Sequence, residues 1–496
     1  MSRSSILAPL VAVALLALPG AAIAEDKPVI PAPADWGRAL AEDARAFHDL
    51  IADSHPGPVD PENPGFNALL EAGLATALER AKTADSYDDW FFALQIYAAS
   101  FDDGHLSLFD YQPMGHDFRS RWPGFLTGLH DGAPTVMFTR DASGPPLGAR
   151  LIDCDGRKPD ALAAELIGGT AGRWTIKSRR TSMAGQLFVD RGNPYVRRPQ
   201  RCVFEADGKA TAYDLAWRDL PDALRDEALA ATRSPRFTTP IELREFAGKG
   251  FWIGLGSFQP SAASEQGQKL TALQAAVETR ADDIRAAPVV VFDLRGNNGG
   301  SSSWIYGLVR TLWGEAWVQS RQPGSDRVDW RASPANLAQI SSYHGMFGDN
   351  PEAEGWLTRI ETGLSGAIAK GQPLWAQTDD ESDAGAAPAD PRTAMTARVY
   401  FITDYGCASA CLDAVDVLKA LGAVHVGQET SGDAVYMEIR TQPLPGGRVT
   451  AGIPMKVYRG RPRGNNETVV PAHEWTGALA DTAGLEALII AVDTGR

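Results

Sequence analysis

Apolar and polar positions fall into blocks that mark out the elements of the chain. Val289-Val290-Val291-Phe292 and Val399-Tyr400-Phe401-Ile402 are short, unbroken apolar runs, the pattern of strands buried on both faces. Leu412 to Leu421 follows the second run and reads as a helix. Nearer the start, helix-like stretches cover Trp36–Ile51, Phe66–Ala81 and Ser86–Ala99, the last opened by Ser86 and Asp89 in the arrangement of an N-terminal cap. Residues 118–240 look strand-rich. A stretch at about 320–395 carries helix-like pieces near Ala335–Ser342 and Gly355–Ala369. It ends in Thr378 to Thr393, rich in Asp, Ala and Pro, which reads as a linker. The stretch is either a lid over a cleft or a peripheral decoration, and decoration is the simpler reading.

Residues 1–24 have the pattern of a secretory signal. Arg3 precedes an apolar run from Ile6 to Leu18, and Ala22-Ile23-Ala24 offers the small residues that a signal peptidase needs before Glu25. The run is too short to span a bilayer comfortably. The sequence therefore predicts an exported protein, periplasmic or extracellular, with no stable membrane insertion. The 496 residues imply several domains, and a net charge of −15 argues against nucleic acid as a partner. Four cysteines in an oxidising compartment tend to pair. Cys154 and Cys202 lie in one region and are expected to bond to each other. Cys407 and Cys411 either form a small disulfide or pack as two buried thiols; the demands of disulfide geometry favour thiols. No recognised zinc spacing is present, and neither a metal nor a cofactor is expected.

The candidate chemistry lies where the two apolar runs end. Tyr405-Gly406-Cys407-Ala408-Ser409-Ala410 joins a strand to a helix, with Ser409 between small residues. Such a turn can expose a hydroxyl where backbone N–H groups face developing negative charge. The competing reading is that Ser409 only caps the helix. The other run leads into Arg295-Gly296-Asn297-Asn298-Gly299-Gly300, a loop whose glycines allow close approach of a neighbour. It lacks the nucleotide-binding glycine patterns.

Together these segments resemble the tail-specific protease (C-terminal processing peptidase) family of serine peptidases. The resemblance rests on Asp293-Leu294-Arg295-Gly296-Asn297-Asn298-Gly299-Gly300, on Ala408-Ser409-Ala410, on Val426-Gly427-Gln428-Glu429-Thr430-Ser431-Gly432 and on Leu444-Pro445-Gly446-Gly447. It implies an α/β fold: a ββα core at 241–496 related to the crotonase and Clp protease folds, an N-terminal helical region at 33–117 and an inserted PDZ-like β-rich domain at 118–240. It also makes Ser409 the nucleophile. The best-known branch activates that serine with a lysine after the Thr-x-Gly segment, where this chain has Asp433, and no lysine lies between Lys419 and Lys456. A second branch, similar to the tricorn protease core, uses a histidine and a late glutamate.

His105, in Asp102-Asp103-Gly104-His105, matches the Asp-Gly-His segment of that branch. An imidazole suits general-base work near neutrality. Glu467 is the expected third member, with Glu429, Asp433 and the Asp102/Asp103 pair as rivals. The N–H of Ala410 and one from the Gly299/Gly300 loop are the expected oxyanion donors. The function implied is an exported serine-type peptidase acting on a peptide or unfolded protein through a Ser-His-Glu mechanism. An inert peptide-binding homologue and a non-peptide acyl hydrolase are the alternatives.

Overall fold

The computed structural model describes residues 30–109, 111, 118–233, 236–246, 248, 250–259, 261–321, 327–344, 351–377 and 395–495. The expected signal segment and the Thr378–Thr393 linker lie outside them. The described residues form two compact units, one within Pro19–Ser234 together with Thr441–Ile453, the other within Pro235–Arg440 and Pro454–Arg496.

The first unit begins with three helices, Trp36–Ser54, Phe66–Ala81 and Tyr87–Ala99. Asp35 caps the first by accepting the Arg38 N–H at 2.9 Å. Ser86 caps the third, accepting the Asp89 N–H at 3.2 Å and donating to its carboxylate at 2.5 Å, as the sequence pattern suggests. A short strand, Ser107–Phe109, pairs antiparallel with Thr450 to Gly452. The β-rich part is a five-stranded antiparallel sheet of Phe125–His130, Ala133–Thr139, Arg150–Cys154, Arg201–Ala206 and Lys209–Asp214. Phe125, Phe188 and Phe204 pack together on it. Cys154 and Cys202 stand opposite each other on neighbouring strands and are joined as a disulfide.

The second unit is built on a six-stranded sheet in the order His473–Glu474, Val424–Gly427, Arg398–Thr403, Val289–Asp293, Gly250–Gly254, Glu242–Phe246. The first five run parallel and the last is antiparallel. Residues alternate between its faces. Val290, Phe292 and Phe401 meet the helices Glu265–Thr279, Ser303–Trp313 and Ala410–Ala420 through Leu273, Ile305, Leu308, Leu412 and Val415. Val291, Tyr400 and Ile402 meet Leu485 and Ile489 of the helix Thr482–Thr494. Helices on both faces explain why the central strands are continuously apolar. The stretch at 320–395 is sewn into this unit. Its strand Arg327–Arg331 pairs with Leu374–Gln377 and with residues 456–459, and Trp330, Ile340, Leu357, Ile360 and Leu364 form a core with Met455. No helix among the described residues is long and apolar enough to cross a membrane.

Candidate active site

Strand Arg398–Thr403 ends at Asp404, and five residues later the chain enters the helix Ala410–Ala420 at Ser409. Ser409 has φ 55° and ψ −128°, a region that residues other than glycine rarely occupy. Holding it there costs on the order of 1–3 kcal/mol, and such outliers cluster at functional sites. Its side chain makes no capping bond to the helix, so the cap reading fails. The half-buried hydroxyl is left for other work. Cys407 and Cys411 form a disulfide across the turn, with Cα atoms 5.3 Å apart. This corrects the expectation of two thiols: the tight turn supplies the separation that a disulfide requires.

The Gly-rich loop lies against this turn. A Cβ on Gly299 would stand 2.7 Å from the Ala408 carbonyl oxygen and 2.8 Å from Ser409 Cβ, and φ there is +106°. Only glycine fits. The Gly299 N–H is committed to Asn297 Oδ1 at 2.9 Å, while Asn297 Nδ2 donates to the Leu255 carbonyl at 2.7 Å. The N–H groups of Gly300 and Ala410 meet no acceptor among the described residues. The two glycines thus differ: Gly299 permits the close approach, and of the two only the Gly300 N–H meets no acceptor among the described residues.

Two carboxylates anchor this region, Asp404 tying the loop to the turn and Asp293 fixing the start of the loop. Asp404 accepts the Gly296 N–H at 2.8 Å and the Gly406 N–H at 2.7 Å, one from each segment. Burial pushes its pKa up, opposed by those two bonds. Asp293, fully buried, accepts from Thr239 Oγ1, Trp252 Nε1 and Arg295. Arg295 in turn donates to the Leu479 carbonyl and to Thr482 Oγ1. His425 is a core residue: it bonds Thr403 Oγ1 at 2.6 Å and stacks on Phe401, and burial first, then Lys419, depresses its pKa to about 4.

Asp433, in the expected lysine slot, is the hub of a buried charge cluster. Its Oδ1 accepts from Arg463 at 2.7 Å and from Arg461 at 3.0 Å. Arg463 also binds Asp416 at 2.6 Å and Asp413 at 3.1 Å, both on the helix that Ser409 opens. Burial works against the Arg463 charge, but Asp433, Asp416 and Asp413 hold its pKa above the usual guanidinium value. Burial pushes Asp413 up to about 6. Removing one member of such a cluster strands buried charge, at about 3–5 kcal/mol. Asp433→Ala is expected to lower unfolding stability by roughly that much, measured by denaturant titration; a loss under about 1 kcal/mol would mean that the cluster contributes little. In this slot the carboxylate holds structure and is not a substitute amine.

Ser409, Ala410, Gly299 and Gly300 are thus gathered in one unit, together with Glu467 and Glu429. Glu467 is exposed, and its carboxylate accepts the Gly464 N–H at 2.6 Å. Glu429 accepts the Thr468 hydroxyl at 2.5 Å. His105 belongs to the other unit, on the turn before Ser107–Phe109. That turn is held by Asp102, at φ 54°, whose carboxylate accepts the Arg173 N–H, and by Asp103, whose Oδ1 accepts the His105 N–H at 2.8 Å. Asp404, Arg461 and Arg463 escape the sequence reading, their one signal being proximity to the motifs, and Asn297 lies within a motif that assigns it no role.

No protein-family model matches the chain, and no curated protein matches it in sequence. Among solved structures, mature CPAF aligns with a TM-score of 0.57 at 15% identity, over 93% of this chain and 98% of its own. Mature CPAF complexed with lactacystin aligns at 0.56 with 13% identity, over 93% of this chain and 100% of its own. The class so defined is one of fold: a mixed α/β chain with an N-terminal helical region and a β-rich insert, shared with CPAF along nearly its whole length.

Proposed function

We propose that this chain is an exported serine-type peptidase of the tail-specific protease kind, built on a crotonase- and Clp-related core and belonging to the branch that uses histidine in place of lysine. The observation that carries the reading is the backbone of Ser409, strained at positive φ with its hydroxyl uncommitted to the helix. The Ala410 and Gly300 N–H groups, which meet no acceptor among the described residues, support it.

In this mechanism Ser409 Oγ attacks the carbonyl carbon of the scissile bond while His105 takes the hydroxyl proton. The carbonyl oxygen becomes an oxyanion and accepts from Ala410 and Gly300. Gly299 leaves space for it. As the C–N bond breaks, His105 returns the proton to the leaving amine. Water then repeats the sequence on the acyl-serine ester, releasing the acid. Glu467 is the carboxylate assigned to the imidazolium. The β-rich insert, PDZ-like in this reading, takes an extended peptide along a strand edge.

The test is to treat the protein with a fluorophosphonate and map the adduct by peptide mass. Modification of Ser409 supports an acyl-transfer site, and hydrolysis of peptides over a matched panel of esters supports a peptidase. No adduct at Ser409 under conditions that label a known serine hydrolase would leave the inert, peptide-binding reading. Turnover of esters alone would leave the acyl hydrolase.

A further inference from the structure

The turn that carries His105 holds a carboxylate with no role in that mechanism. The Asp103 side chain is 5% exposed. Its Oδ1 accepts the His105 backbone N–H, closing an Asx turn. Its Oδ2 is buried without a hydrogen-bond partner among the described residues. His105 Nδ1, on a ring 16% exposed, is likewise buried without one, and lies 3.8 Å from Asp103 Oδ1. The unpaired Nδ1 therefore lies just beyond bonding distance of Oδ1, which is already bonded to the His105 backbone N–H, while Oδ2 of the same carboxylate has no partner among the described residues. Leaving both unmade is costly, and catalytic hydrogen bonds are often long until substrate binds.

The far side of Asp103 is organised as well. His55 Nε2 stands 4.0 Å from Oδ2, on a ring with no exposure that stacks on Phe66. His55 Nδ1 accepts the Gly57 N–H at 2.8 Å. That bond puts the proton of the neutral ring on Nε2, directed at Asp103. Burial lowers the pKa of His55, which favours the neutral ring. Burial alone would raise the Asp103 carboxyl, yet His55 and His105 outweigh it and keep it below the usual carboxylate value. The other charged groups near the turn are Asp102, Asp60 and Arg173, whose guanidinium approaches Gly104.

We propose that Asp103 is a positioning residue for His105: it fixes the imidazole with its proton on Nδ1 and leaves Nε2 for the nucleophile, while His55 steadies Asp103 from behind. This rests on His105 being the base, and it places beside Nδ1 a carboxylate other than Glu467.

Asparagine at this position is the discriminating change, because it keeps the Asx turn and removes the charge. In the full chain, Asp103→Asn is expected to slow fluorophosphonate labelling of Ser409 by about 10²-fold or more. The pH at half-maximal rate, followed over about pH 5–8, should move down, because the developing positive charge on the base loses a neighbouring carboxylate. A turn-only role predicts wild-type rate and midpoint, and that result overturns the proposal. His55→Gln should shift both readouts in the same direction by a smaller factor. Should Asp103→Asn fail to fold, a wild-type rate and midpoint in His55→Gln overturns the proposal instead. His105→Ala separates the layers: unchanged labelling in that variant removes the base itself, whereas a collapse there beside wild-type behaviour in Asp103→Asn removes only this inference.

Discussion

Ser409→Ala is expected to abolish covalent labelling by fluorophosphonate and to cut peptide hydrolysis by roughly 10⁶-fold, with no loss of stability. The second half of that expectation follows from the backbone. Alanine carries the same Cβ into the same positive-φ conformation, so the strain is unchanged, and the serine hydroxyl gives the helix no bond to lose. Ser409→Gly sharpens the point. It removes the nucleophile equally, yet relieves the strain, and should raise unfolding stability by about 1 kcal/mol despite the added freedom of the unfolded chain. A Ser409→Ala protein that labels at the native rate on the same peptide ends the mechanism.

His105→Ala is expected to slow acylation by about 10²–10⁴-fold or more, the usual worth of a general base. Its effect on stability should be small, because the ring makes no hydrogen bond in the described structure that folding depends on; the bond that shapes the turn belongs to its backbone N–H. The native rate should rise with pH through the range in which imidazoles titrate. Asp433→Ala gives the opposite profile, a large loss of stability with the proton path left in place. Stopped-flow acylation and denaturant unfolding on the two variants distinguish the roles. Near-native acylation by His105→Ala would assign the proton to another group.

Much of the core was legible because its physics is local. Strands buried on both faces must be continuously apolar, and 289–292 and 399–402 are. The Ser86 cap needs only a serine and an aspartate three residues apart. What escaped is set by distant partners. Asp433 stands out only as the occupant of the lysine slot, and nothing in the sequence ties it to Arg461 and Arg463 or Arg463 to Asp413 and Asp416. Asp404 acts on two loops at once, and only one is adjacent in sequence. The 320–395 stretch passed for a decoration because its strand partner lies at 456–459. Ser409 hides its own conformation: a glycine would have announced positive φ, and a serine does not.

The strand Ser107–Phe109, which follows the His105 turn, finds its partner only at residues 450–452. A growing chain emerges from its N-terminus, so this pairing waits until most of the polypeptide has been made. Contacts of such long sequence separation also form slowly. The turn that presents His105 therefore gains its supporting strand among the last events of folding. A chain truncated before residue 450 would expose an unpaired strand edge in its place. Until the segment at 450–452 has been made, the His105 turn is without the strand that supports it.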